Sequence, residues 1–415
     1  MDYYSIATVL IVLSALFGYI NVRFLKLPIT IGLMIITIVF TVVLVGIAQF
    51  DDTLLIQEQK FIKLIDFETV LLDIMLSFLL FAGALHTNFN QLKVQRWPIL
   101  AFATLGVLVS TFLVGIAMFY VLKLMTLEVN FIYCLLFGSL ISPTDPIAVL
   151  GILKKAGAPK KLETKIVGES LFNDGVGVVV FLTIFAIAAK PDAAIEFSDI
   201  ATLFGQEVIG GIILGLLLGW ITYRLMRSID NYEIEVILTL ATVMGGTMLA
   251  HQFHLSAPLA MVTAGLIVGN DTVRNSAMSE TTELYVDKFW ELIDVLLNTI
   301  LFVMIGMEML VLTLEGKYIY AGLLAIPIIL MCRYISLFIP IKFFEKRLDF
   351  VPKTNLIMTW GGLRGGISIA LALSLTTEMH RELFLVITYV VVVVSIVGQG
   401  LTVGPIIKRL TRKAV

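Results

Sequence analysis

The chain has 415 residues, 59% of them hydrophobic and only 14% charged, with a mean hydropathy of +1.00. Soluble domains run near half apolar and a quarter charged, so this composition excludes an ordinary water-soluble core. A net charge of -2 leaves no basic footprint for nucleic acid, and two isolated cysteines, Cys134 and Cys332, make neither a disulfide framework nor a zinc site.

About 20 mostly apolar residues cross a bilayer. The first such run, 4–21, follows the acidic Asp2 rather than a basic region and has no A-x-A site after it, so it reads as a retained span. The others lie near 29–48, 68–86, 98–122, 131–153, 164–189, 206–226, 234–252, 256–270, 289–312, 318–342, 355–376 and 383–407. The expected fold is an all-α polytopic membrane protein of about thirteen helices. The longest loops, near 49–67 and 271–288, hold about 18 residues and leave no room for a soluble domain.

The fifth run reads FIYCLLFGSLISPTDPIAVLGIL. Pro143 and Pro146 bracket Thr144 and Asp145, and each proline removes an amide donor and crowds the preceding turn. A helix broken at Ser142–Pro146, midway across the membrane, frees backbone groups where only a cavity or protein interior tolerates them. The sixth run carries Glu169, Ser170, Asn173 and Asp174. Ser170 and Asp174 are four apart and share a helix face, as do Glu169 and Asn173. Carboxylate, hydroxyl and freed carbonyl oxygens suit a hard cation. Asp174 is too deep to reach water, and desolvation disfavours its charged form, so it can hold either a proton or a cation at cellular pH.

In the seventh run Gly211, Gly215 and Gly219 form a close-packing face, expected inside the bundle. His251 and His254 end the eighth and are expected in solvent. Asp73, Asp294, Asn298 and Glu308 fall within runs but receive no role. The eleventh run holds Arg333 and the twelfth Arg364; a buried Glu169 needs one of them as its partner. Gly361, Gly362, Gly365 and Gly366 around Arg364 mark a second broken helix. Two interrupted helices in corresponding positions point to a transporter's binding site. Runs 1–6 and 8–13 then form two inverted six-helix repeats around the seventh.

Lys and Arg divide 21 against 6 between the two sides defined by these runs. The excess marks the cytoplasmic side, which places the N-terminus outside and the C-terminus in the cytoplasm of a cell (inner or plasma) membrane.

SPTDPIAV, then GESLFNDGVGVVVF, then TWGGLRGGISIALAL together resemble the cation:proton antiporter superfamily, in its sodium/proton exchanger (NhaP-like) branch. The resemblance runs from about the third span to the thirteenth. It implies secondary antiport of sodium (and lithium) against protons, with no enzymatic activity and no cofactor. It implies a core domain, about 98–189 and 318–407, moving elevator-like against a dimerisation domain, about 1–97 and 206–312, in a homodimer. Asp174 matches the essential ion-binding aspartate. Thr144 and Asp145 match unwound-helix ligands, and Ser170 a hydroxyl ligand. Glu169 and Arg333 match a bracing pair, and Arg364 the arginine of the second broken helix. Asn173 matches the branch associated with electroneutral one-for-one exchange, where electrogenic relatives carry a second aspartate. Many exchangers have an acidic residue near His251; its absence here withholds any coupling role from that position. Potassium/proton exchange on the same scaffold is the alternative. A passive channel fits a single deep titratable carboxylate poorly. An intramembrane aspartyl protease would need YD and GxGD motifs, where this chain has TDP and NDG.

Overall fold

A computed structural model describes the chain except residues 1–2, 49–58, 60–61, 63–65, 68, 88, 190–196, 271–273, 275–276, 313–314, 346–349 and 412–415. The described residues are helical or in short connections, as a bilayer demands of a chain that must satisfy its backbone internally. In order, the principal helices are α1 (Tyr3–Ile20), α2 (Ile29–Ile47), α3 (Leu76–Leu85), α4 (Val107–Leu124), α5 (Phe131–Ile141), α6 (Pro146–Ala156), α7 (Lys160–Ala188) and α8 (Phe197–Met226). They continue with α9 (Tyr232–Gln252), α10 (Ala257–Val268), α11 (Glu280–Glu308), α12 (Gly316–Phe344), α13 (Thr354–Gly361), α14 (Gly366–Leu373) and α15 (Arg381–Val394), the last running on helically to Thr411.

Among the described residues nine helices are long and apolar enough to cross a membrane, or ten with the bent pair α13–α14 counted as one span. The expected thirteen is therefore not reached on length alone. The third, fifth and ninth runs appear as shorter apolar helices, Thr69–Leu85, Phe131–Ile141 and Ala257–Val268. The reasons are local. α5 ends before Pro143, whose ring cannot continue the ladder, and α6 restarts at Pro146, where the missing amide would be unpaired anyway. α10 starts at Ser256, whose hydroxyl accepts from the Leu259 amide, with Pro258 in its first turn; it stops at Gly269. α13 and α14 meet at 52° across the glycine cluster.

Polar caps fix other helix starts. Asn231 accepts from the Ile234 amide at 3.0 Å ahead of α9. Ser279 accepts from the Thr282 amide at 3.3 Å ahead of α11, whose first turn carries Glu280 and Glu283 at the positive end of the helix dipole.

α7 is deeply interior, in contact with α5, α6, α8 and α10. Large apolar side chains point outward on α1, α8 and α12, including Leu16, Trp220 and Phe338, as a lipid-facing surface requires. The glycine stripe of α8 lies inside the bundle: Gly211 faces Ser256 and Gly215 faces Ala260, at the start of and on α10. Cys134 and Cys332 are buried free thiols.

Candidate ion site at the crossing of two broken helices

Both interruptions sit at one place. The Asp145 amide between α5 and α6 donates to the Leu363 carbonyl between α13 and α14 at 2.8 Å, so one break partly satisfies the other. The crossing is too close for side chains. A Cβ at Gly365 would lie 2.7 Å from Asp145 Oδ2, and one at Gly362 would run into the Arg333 guanidinium. Arg364, 2% exposed, turns across the crossing and donates through Nη1 to the carbonyls of Ser142 and, at 2.9 Å, Pro143. A guanidinium at the carbonyl end of α5 meets both the freed acceptors and the negative pole of that helix. Its own amide donates to Ser395 Oγ at 3.0 Å.

α7 lays four polar side chains alongside. Asn173 is fully buried and saturated: its Oδ1 accepts from the Thr144 amide at 3.2 Å, and its Nδ2 donates to Thr144 Oγ1 and Glu169 Oε1, both at 2.9 Å. Thr144 Oγ1 and Ser170 Oγ are 2.9 Å apart. Arg333 donates to both Glu169 oxygens, at 3.1 and 2.9 Å, and through Nε to the Met358 carbonyl at 3.3 Å. This fork is buried on both sides, the arginine 6% and the glutamate 1% exposed in its side chain. Between the two intramembrane arginines, Arg333 takes the carboxylate and Arg364 the carbonyls.

Asp174 differs from its neighbours. It is 3% exposed and accepts no hydrogen bond from a described residue. With Asp145, Pro143, Asn298, Gly365 and Ser368 it lines a cavity of about 40 Å³. A single water needs roughly 10–15 Å³ by this measure, so the cavity has room for a small cation with part of its hydration. The arrangement is a buried carboxylate at a small, mostly apolar cavity whose polar lining is Asp145, Asn298 and Ser368, with Thr144, Ser170 and Asn173 held by mutual hydrogen bonds one turn away.

Ser170 and Asp174 do share a face of α7, but the Ser170 hydroxyl is joined to Thr144. Sequence reasoning did not foresee where Arg364 goes, nor that Asn298 of α11 lines the cavity. Spacing held that second signal: Asp294, Asn298, Leu301 and Ile305 fall on one helical face. His251 and His254 are exposed. Glu308, 7% exposed, lines a separate small cavity with Phe67 and Met304. The Asp73 side chain lies outside the described residues.

The model of the family described as "Sodium/hydrogen exchanger, transmembrane" matches residues 11–409. The Na(+)/H(+) antiporter NhaP of Pseudomonas aeruginosa is 49% identical over 405 residues, 96% of this chain and 95% of that protein. The Na(+)/H(+) antiporter NhaH of Halobacillus dabanensis is 32% identical over 392 residues, 94% and 93% of the two chains. Among solved structures, the sodium proton antiporter MjNhaP1 from Methanocaldococcus jannaschii at pH 8 superposes with a TM-score of 0.76 at 19% identity, covering 99% of this chain and 100% of its own.

Proposed function

The chain belongs to the sodium/hydrogen exchanger family, and from that premise we propose that it exchanges sodium for protons across a membrane with Asp174 as the group that takes each ion in turn. The observation that carries the assignment is the contrast along α7. Glu169 and Asn173 are spent on partners, whereas Asp174 is buried, unpaired among the described residues and open to a cavity. A carboxylate kept for folding would be paired. One that must alternate between a proton and a cation has to stay accessible.

Thr144, Ser170 and Asp145 are the further sodium ligands, direct or through water. Glu169, Arg333 and Asn173 brace the unwound segment, and Arg364 neutralises the carbonyl end of α5. The core, about 98–189 and 318–407, carries both breaks as one body. It moves elevator-like against a scaffold, about 1–97 and 206–312, through which two copies pair. The chain crosses thirteen times as two inverted six-span repeats, with the N-terminus outside. The three short apolar helices fall where three of those crossings are needed, and the 21-to-6 split of basic residues supports the orientation. Exchange is one for one. Asp174 is neutral with a proton and neutral with sodium, Asn173 cannot titrate, and Glu169 is held by Arg333.

Reconstitution into proteoliposomes tests this. An outward sodium or lithium gradient should drive proton uptake in wild type and none in Asp174→Asn. Proton uptake driven by a potassium gradient and not by a sodium gradient would replace sodium by potassium as the substrate. Sodium-driven proton flux surviving in folded Asp174→Asn would remove Asp174 from the role.

A further inference from the structure

Part of the cavity wall, Asn298 and Leu301, belongs to α11, and the polarity of that face changes along the helix. Leu301 and Ile305 lie against the second break, where a Cβ at Gly366 would come within 2.7 Å of Leu301 Cδ1 and 3.0 Å of Ile305 Cδ1. One turn before Leu301 the same face presents Asn298, and one turn earlier Asp294. Asn298 is 3% exposed and lines the cavity together with Asp145 and Asp174. Its Nδ2 donates to Asp294 Oδ1 at 3.1 Å and to the Asp294 carbonyl at 2.8 Å. Both of these bonds use its Nδ2, no described residue donates to its Oδ1, and Asn298 is part of the cavity lining. Asp294 is near enough to Asp145 for their charges to interact, and no cation pairs with it among the described residues.

A carboxylate within a membrane span is costly and is usually paired when it serves only folding. Here its hydrogen-bonded neighbour opens onto the cavity that holds Asp174. Beyond Asp294, toward the start of α11, lie Asp287, Lys288 and Glu291; in the other direction the face turns apolar at Leu301 and Ile305. From the start of α11 the order along this face is a carboxylate, then an amide, and the amide lines the cavity that holds Asp174. That is an oxygen ladder for a partly hydrated monovalent ion.

We propose that Asp294 and Asn298 form a second monovalent-cation subsite, which receives sodium between the cytoplasmic opening and Asp174. The inference rests on the sodium/proton reading above and adds a ligand from outside the broken helices. Because α11 belongs to the scaffold, the core leaves this subsite behind when it moves. The Asp294 charge therefore assists sodium binding on one side of the membrane only.

The test compares half-saturating sodium on the two faces, using everted and right-side-out membrane vesicles carrying the full chain. It is run at alkaline pH, where protons do not occupy Asp174. In Asp294→Asn the half-saturating concentration should rise by about threefold or more at the cytoplasmic face, as loss of a nearby charge in a site of modest effective dielectric requires. The opposite face should stay unchanged and the maximal rate stay within about twofold. Asp294→Glu should restore wild-type behaviour, and Asn298→Ala should give a smaller shift at the same face. Equal shifts on both faces, no shift on either, or loss of exchange in a folded Asp294→Asn protein would overturn the subsite. If Asp294→Asn does not fold, the one-faced shift in Asn298→Ala carries the same decision. A failure of the sodium/proton reading itself would show earlier, as absent exchange in wild type.

Discussion

Glu169→Ala should be far more damaging to stability than Asp174→Asn, although the two carboxylates lie five residues apart on one helix. Arg333 makes three hydrogen bonds, two of them to Glu169 and one to the Met358 carbonyl. Removing Glu169 leaves the guanidinium with a single acceptor in a site where its side chain is 6% exposed. It also takes one acceptor from Asn173 Nδ2, which holds Thr144. Breaking a buried pair from one side costs about 3–5 kcal/mol, because a charge is stranded. At about 2 °C per kcal/mol, the lower edge for sizeable chains, the melting temperature should fall by roughly 6–10 °C. Asp174→Asn removes a charge that has no partner among the described residues and should change the melting temperature little or raise it. Replacing both members, Glu169→Met with Arg333→Met, should recover most of the loss, since no charge is left behind. The assay is thermal unfolding in detergent, followed by the surviving monodisperse fraction on size exclusion. A Glu169→Ala protein that melts with wild type, or below which the double variant falls still further, would refute the reasoning.

Sodium and protons competing for Asp174 should lower apparent sodium affinity by about tenfold for each pH unit below the Asp174 midpoint; an affinity flat across that range would mean separate sites. Exchange should ignore voltage: sodium efflux from proteoliposomes clamped with potassium and valinomycin should keep one rate at all imposed potentials, provided potassium is first shown not to be a substrate. A strong, systematic dependence would identify a second proton carrier, with Asp145 or Glu169 the first to examine. Arg364→Met should leave the Ser142 and Pro143 carbonyls without their donor, raising half-saturating sodium and lowering thermal stability together; an unchanged variant would make the contacts at those carbonyls incidental. Gly365→Ala should abolish exchange in a protein that still inserts, because its Cβ would lie 2.7 Å from Asp145 Oδ2; normal exchange would show that the crossing opens without cost.

Much of this architecture is legible in the chain because membranes impose simple rules. Long apolar runs became helices, and Pro143 with Pro146 broke the fifth run where ring geometry says it must. Crossings shorter than a membrane's width were harder to read: hydropathy cannot tell a run that proceeds as one helix from one split by a few unwound residues. The polar content of α7 was visible by spacing, but partner choice was not. Arg333 and Arg364 look alike in sequence. The family resemblance paired Arg333 with Glu169, as the structure has it, but only the crossing shows that Arg364 meets carbonyls, since each break creates acceptors that depend on the path of a distant segment. Asn298 stood out within its run but received no role, because an uncharged amide inside an apolar run gives little signal by itself.

The saturation of Asn173 constrains how this protein could change its stoichiometry over evolutionary time. An aspartate at 173 would lose both donations, to Thr144 and to Glu169, and would set a second anion beside a carboxylate that the amide now meets at 2.9 Å. Moving Glu169 out of the way would strand Arg333, and moving Arg333 would strand Glu169. No single substitution adds a carboxylate at position 173 without passing through a destabilised intermediate. Lineages that exchange one charge for one and lineages that do not should therefore differ at the three positions as a set, separated by a fitness valley rather than by a gradual slope.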